Sequence, residues 1–185
     1  MPDPYLLERD ESVLCVVDIQ EKLAARMGEK EGIVESARML TLAARRMGVP
    51  ILVTEQYPRG LGPTVMELTI AMEDSYAPIE KMCFGCGGEP RFLDQLKSRK
   101  RKQVVLCGME THVCILQTCL ELLNRGYKVQ VVADATCSRR IAHKEIGLGQ
   151  MRQMGAIVTT AEAVVFQWLE KAGTEEFKDL LPLFK

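Results

Sequence analysis

The chain has 185 residues, 47% hydrophobic, 26% charged and 5% aromatic, the profile of an ordinary globular protein. A chain of this length buries roughly 70% of the surface that its unfolded form exposes, so it needs no disulfide scaffold, and a single domain spanning residues 1–185 is expected. Lys and Arg together number 24 against 25 for Asp and Glu, a net charge of -1, which excludes a general electrostatic footprint for nucleic acid. The basic run KSRKRK at 97–102 reads as a solvated helix end.

Seven cysteines make an odd number and form no framework of closely spaced pairs, which fits reduced thiols in a cytosol. The N-terminus MPDPYLLERDE is acidic where a signal peptide carries a basic head, and no apolar run reaches the roughly 18 residues of a membrane helix. The expectation is a cytoplasmic protein with no membrane partner.

Short β-branched runs alternate with helical segments, the pattern of βαβ units around a parallel sheet. The first strand is expected at 13–18 (VLCVVD). A helix follows over 31–47, with Ile33, Ala37, Leu40, Ala44 and Met47 on one stripe and Gly48-Val49-Pro50 as its stop. The second strand is 51–54 (ILVT), and residues 55–77, with Gly60, Gly62 and Pro63, read as a loop and short helix walling a cleft. A weaker third strand covers 78–82 (PIEKM), followed by a helix over 91–99. Strand four is 104–107 (VVLC), with a helix over 111–125; strand five is 129–133 (VQVVA), with a helix over 143–154; strand six is 156–159 (AIVT). From Ala161 onward two helices are broken at Gly173, with Thr174 as an N-cap. The apolar stripe Ala163, Val164, Val165, Phe166, Trp168 and Leu169 suits burial against the sheet or an interface between subunits.

Ligands of doubly wound sheets bind beyond the carboxyl ends of the strands, where strand order reverses. Asp18 ends strand one, Lys81 lies near the end of strand three, and Cys114 begins the helix after strand four. A thiol at a helix N-terminus is expected to favour thiolate, the form that attacks a carbonyl carbon. Asp18 would take its proton and Lys81 would hold that carboxylate. Taken singly, each residue also has a plainer reading: a turn residue, a solvated lysine, a small packed hydrophobe.

The segments VVDIQEKL, IEKMCFGC and GMETHVCILQTCLELL, followed by VVADATCSRR and MRQMGAIVTTAEAVVFQWL, resemble the isochorismatase-like cysteine hydrolase superfamily over about residues 12–170. VTEQYPRGLGPTVMEL is most similar to its isochorismatase domain-containing group. The resemblance implies a three-layer α/β Rossmann-like fold with a six-stranded parallel sheet in the order 3-2-1-4-5-6. It also implies an Asp, Lys, Cys triad at Asp18, Lys81 and Cys114, a cis peptide at Met109-Glu110, and an oxyanion hole from the backbone amides of Glu110 and Cys114. Gln20, Leu23, Gln56, Tyr57, Phe84 and His112 are the expected substrate-pocket residues, and a homo-oligomer is the expected assembly.

Two departures from the family pattern matter. Metal-dependent relatives carry Asp-x-His after strand two, where this chain has Glu55-Gln56-Tyr57, and with only two histidines, His112 and His143, neither metal nor other cofactor is expected. Members acting as isochorismatases lack the cysteine, so its retention here implies acyl transfer at an amide, ureido or carbamoyl group of a small molecule. Leu23 stands where the family commonly has an aromatic, which alters the pocket wall.

Cys83-Phe84-Gly85-Cys86 cannot close a four-ligand zinc site alone and reads as pocket lining, with Phe84 over the mouth. A redox pair at Cys83 and Cys86, or a non-catalytic member binding a metabolite or protein, are the competing readings. His112 is expected to set the turn or contact substrate rather than act as base, and Cys15, Cys107, Cys119 and Cys137 read as core.

Overall fold

A computed structural model describes residues 6–184. Strands β1 (Ser12–Val17), β2 (Ile51–Gln56), β3 (Ile79–Lys81), β4 (Gln103–Met109), β5 (Lys128–Cys137) and β6 (Ile157–Thr159) form one sheet in the order 3-2-1-4-5-6. Every neighbouring pair is parallel. Helices α1 (Glu21–Ala24), α2 (Lys30–Arg46), α3 (Pro58–Leu61) and α4 (Met66–Met72) precede β3, and α5 (Pro90–Ser98) precedes β4. Then come α6 (Leu116–Asn124), α7 (Ile141–Gln153), α8 (Ala161–Leu169) and α9 (Glu175–Leu180).

Strand alternation divides the core into two layers. Leu14 and Val16 of β1 face a cluster with Ala37 and Leu40 of α2, Leu68 of α4 and Trp168 of α8. Val13, Cys15 and Val17 face the opposite cluster, with Phe92 and Leu96 of α5, Leu122 of α6 and Met151 of α7. The central strands are buried on both faces, which is why they read as unbroken apolar runs.

Several boundaries differ from the sequence expectation. Asp18 lies just past β1, and β2 extends through Glu55 and Gln56, because both residues pair with β3. β5 runs on to Cys137 past a register shift opposite Leu106 and Gly108, which carries the strand beyond Ala133. The helix expected from Thr111 begins instead with a π turn, Thr111–Ile115, in which the Ile115 amide donates to the Glu110 carbonyl at 3.2 Å. In the tail, Gly173 has φ 84° and the Thr174 hydroxyl accepts from the Phe177 amide at 3.1 Å, as a break and an N-cap require. Val164, Val165, Trp168 and Leu169 are buried in the subunit's own core, so of that stripe's large side chains Phe166 alone is exposed. In the basic run, Arg101 is not simply solvated, since it donates to the carbonyls of Arg9 and Ser12 at 2.7 and 2.9 Å.

Gly108 marks a close approach between β1 and β4. It pairs with Val17 at φ 135°, and a Cβ there would collide with the Val17 carbonyl. Gly108→Ala is therefore expected to lose about 3 kcal/mol or more through combined backbone strain and overpacking, read as a lowered denaturation midpoint in urea.

Candidate active site

Strand order 3-2-1-4 lines up the carboxyl ends that carry the chemistry, with the reversal point between β1 and β4. Asp18 leaves β1 in the left-handed region, φ 56°, a conformation that Asp tolerates better than most residues. Its amide is tied to the Thr54 carbonyl at 3.1 Å, and its Oδ1 accepts from the Thr54 hydroxyl at 2.8 Å. Oδ2 accepts from Lys81 Nζ at 2.7 Å, and both side chains of this ion pair are fully buried.

Lys81, the last residue of β3, spreads its donors over three further acceptors. These are Gln56 Oε1 at 2.8 Å, the Phe84 carbonyl at 2.9 Å and the Cys83 carbonyl at 3.2 Å. Cys114 enters from the π turn, 5% exposed, and its thiol interacts with Asp18 and Lys81. The three residues expected to act together are thus brought together, and the Met109–Glu110 peptide leading into the π turn is cis.

The electrostatics correct one expectation. Burial pushes the Cys114 thiol well above its ordinary range, the Asp18 carboxylate adds to the effect, and Lys81 offsets only part of it. The helix-terminal position therefore does not make a resting thiolate; loss of solvent outweighs the backbone field. Burial likewise raises the proton affinity of Asp18, against the opposing influence of Lys81 and the hydrogen bonds it accepts. For Lys81, burial works against the ammonium, but Asp18, Cys86 and Cys114 outweigh it, and the lysine holds its proton more tightly than usual. The resting arrangement is a neutral thiol beside a carboxylate of enhanced basicity, itself paired with an ammonium.

The remaining expected pocket residues divide into two groups. Gln20 is fully buried, with Nε2 donating to the carbonyls of Gln56 and Gly62 at 3.0 and 2.6 Å and Oε1 accepting from the Gln56 amide at 2.8 Å. Gln56 points its amide oxygen at Lys81 and its Nε2 at the Met82 carbonyl, 2.9 Å away. Leu23 packs against the α2-side core. Tyr57 and Phe84 are exposed. His112 turns toward α7, with Nδ1 2.9 Å from the Ser138 hydroxyl and its ring 4.7 Å from that of His143. Burial, His143 and Arg139 together lower its proton affinity, despite Glu110. The Glu110 side chain accepts from the Arg139 amide at 2.9 Å and from its guanidinium at 3.1 Å.

Two features were not visible in the sequence. Thr54 reads as an ordinary β-branched strand residue, and only the register of β2 against β1 reveals its hydroxyl beside Asp18. Cys86 is fully buried beneath the site, its sulfur 3.9 Å from Thr54 Oγ1 and its amide donating to Thr118 Oγ1 at 2.9 Å. Burial and Asp18 push its thiol up to about 12. Cys83 is half-buried, and all seven cysteines are free thiols. Cys15, Cys107, Cys119 and Cys137 lie in the core as expected.

Glu55 is buried, and its Oε1 accepts from the Thr64 amide, the Thr64 hydroxyl and the Tyr76 hydroxyl at 2.7, 2.8 and 2.6 Å. It ties down the 55–77 segment. Among the described residues, no group of three or more His, Cys, Asp or Glu side chains is placed to hold a metal ion.

A six-stranded, all-parallel, doubly wound sheet flanked by helices defines the class as a Rossmann-like α/β protein. Residues 12–163 match the isochorismatase domain, and the chain belongs to that family. It is 40% identical to mouse isochorismatase domain-containing protein 2A over 95% of this chain and 84% of that one. It is 39% identical to the secreted isochorismatase effector Isc1 of Phytophthora sojae, over 94% and 84%. Among solved structures, the MAR1 ribonuclease of Caenorhabditis elegans superposes with TM-score 0.91 at 38% identity, covering 96% of this chain and 91% of that one. The YcaC gene product of Escherichia coli, described as an octameric hydrolase, shares the fold with TM-score 0.91 at 21% identity, covering 99% and 92%.

The buried ion pair yields a thermodynamic test. Lys81→Met leaves Asp18 buried without its counter-charge and is expected to cost about 3–5 kcal/mol near neutral pH. In that variant the folded-state proton affinity of Asp18 lies still further above its unfolded value. The deficit should therefore shrink as pH falls and Asp18 takes up a proton, and grow as pH rises. Urea unfolding at several pH values checks both the magnitude and the sign.

Proposed function

We propose that this chain is a cysteine hydrolase cleaving a C–N bond in an amide, ureido or carbamoyl group of a small molecule, through a thioester acyl-enzyme. The observation that carries this reading is the convergence of Cys114, Asp18 and Lys81 at the carboxyl edge of the sheet, where the Cys114 thiol interacts with both charged groups and Lys81 Nζ holds Asp18 Oδ2 at 2.7 Å. As Cys114 Sγ attacks the carbonyl carbon, its proton passes to Asp18, and Lys81 keeps that carboxylate in place. The backbone amides of Glu110 and Cys114 are the proposed donors to the developing oxyanion. Collapse of the tetrahedral adduct expels the amine, which takes the proton from Asp18. Water then gives a proton to the same carboxylate and attacks the thioester; collapse releases the acid, and the proton returns to the Cys114 sulfur.

The 5% exposure of Cys114 fits a small substrate. The name ribonuclease, carried by the C. elegans neighbour, finds less support here, since a net charge of -1 and a thiol at that depth suit a polyanion poorly. Complete burial of Cys86 disfavours the redox reading of Cys83 and Cys86. Seven free thiols support a reducing, cytoplasmic setting, and no described helix is long and apolar enough to cross a membrane. A homo-oligomer is the proposed assembly, supported by Ile141 and Ile146, which leave apolar surface exposed on α7.

Screening small amides, ureides and carbamoyl compounds for ammonia release tests the reaction class. With a substrate in hand, Cys114→Ala should be silent and Asp18→Asn should lose at least about 100-fold in rate. Intact-protein mass spectrometry on the slower substrates should show an acyl adduct on Cys114, and full activity in a folded Asp18→Asn protein would overturn the mechanism.

Activity is also expected to survive prolonged dialysis against EDTA, because the carboxylate near the end of β2, Glu55, already accepts three hydrogen bonds from Thr64 and Tyr76 on Oε1. A loss restored specifically by zinc, iron or manganese would contradict this.

A further inference from the structure

Asp18 has two oxygens, and two different side chains hold them: Lys81 on Oδ2 and Thr54 on Oδ1. The lysine contact alone does not fix the plane of the carboxylate, because the terminal torsion of Asp is broad and a single ammonium follows it as it turns. Thr54 supplies a donor in a fixed direction. Its β-branched side chain has few rotamers, and its own carbonyl accepts the Asp18 amide at 3.1 Å, so backbone and side chain are locked in the same register.

The single hydroxyl proton of Thr54 has a defined destination. An ionised carboxylate only accepts, so that proton points at Asp18 Oδ1, 2.8 Å away, and the oxygen's free lone pair faces Cys86 Sγ at 3.9 Å. The Cys86 thiol thereby donates to Thr54, which in turn donates to Asp18. Cys86 is anchored through its amide on Thr118, one helical turn beyond Cys114.

Resting on the reading of Asp18 as the base for Cys114, we propose that Thr54 is a positioning residue of this active site. By donating to Oδ1 it holds the Asp18 carboxylate in the plane that receives the Cys114 proton while Lys81 occupies Oδ2. The charged and titratable groups facing Asp18 are Lys81 from β3, Cys86 from the loop after β3 and Cys114 from the π turn; Thr54 is the neutral hydrogen-bond donor among its partners. A hydrogen bond to the ionised form favours that form, so its removal also delays ionisation of Asp18 to higher pH.

The test needs no substrate. The rate of Cys114 alkylation by iodoacetamide, followed by peptide mapping from about pH 4 to about pH 9, reports when Asp18 becomes able to accept the thiol proton. Thr54→Val keeps the shape and removes the donor; its acid limb should move up by about one pH unit. Thr54→Ser restores the hydroxyl and should return the profile to that of the unmodified protein. Coincidence of the Thr54→Val profile with the unmodified one overturns the proposal. So does a Thr54→Ser shift as large as that of Thr54→Val, or a fall in Tm without any shift. Asp18→Asn separates this failure from that of the hydrolytic reading: if its profile also matches the unmodified protein, Asp18 is not the base, and both fall together.

Discussion

The ion pair between Lys81 and Asp18, fully buried and 2.7 Å long, is the constraint around which the carboxyl edge of the sheet is arranged. Removing an ammonium from water costs several kcal/mol even after relaxation, so each of its donors must be met. Asp18, Gln56 and the carbonyls of Cys83 and Phe84 meet them. The last two dictate the path of the chain after β3, which folds back over the lysine. That path in turn brings Gly85 and Gly87 so close to the Glu121 carboxylate that a side chain at either would strike it, and the Gly87 amide donates to Glu121 Oε2 at 2.7 Å. A buried charge thus shapes a loop, and the loop is sealed by a helix from the other side of the reversal point. An apolar pair of similar volume would serve stability as well or better, so the retention of both charges is best understood through chemistry rather than folding.

The same burial explains what kind of nucleophile Cys114 is. Cys15, Cys86, Cys107, Cys119 and Cys137 share its displacement toward the neutral thiol, each chiefly through loss of solvent. Cys114 is set apart by its neighbours: at the end of the π turn its thiol interacts with both Asp18, whose own basicity is enhanced, and Lys81. The site does not store a thiolate that would react with any passing electrophile. On the proposed mechanism the thiolate forms during attack, and its charge passes to the substrate oxygen as the proton passes to Asp18.

Much of this was legible from the sequence, and the limits are physical. The six strands, and the burial of the central ones on both faces, follow from apolar runs at regular spacing, and Asp18, Lys81 and Cys114 follow from their places at strand ends and at the start of the helix after β4. Thr54 could not be read in this way, because a threonine in a strand is unremarkable until the β1–β2 register sets its hydroxyl beside a particular carboxylate. The π turn escaped for a related reason: Thr111–Ile115 has helical composition, and nothing in a local pattern separates an i to i+5 bond from an i to i+4 bond. The expectation of a depressed thiol failed because helix position is visible in a sequence while depth of burial is not.

The segment from Gln20 to Tyr76 shows how a site can be fixed by residues that never face the substrate. Gln20 stands where the family resemblance implies a pocket wall, and Glu55 begins the segment that replaces the Asp-x-His of metal-dependent relatives. In the structure, Gln20 staples β2 to the chain after β1, and Glu55 gathers three hydrogen bonds onto one oxygen to hold Thr64 and Tyr76. Between them, Gln56 turns its amide oxygen onto the Lys81 ammonium. A divalent cation placed there would face that ammonium and compete for oxygens already committed to hydrogen bonds, so the donor set at this edge is matched to a lysine and not to a metal. At the end of β2, Gln56 therefore supports the lysine of the ion pair while Thr54 supports its carboxylate.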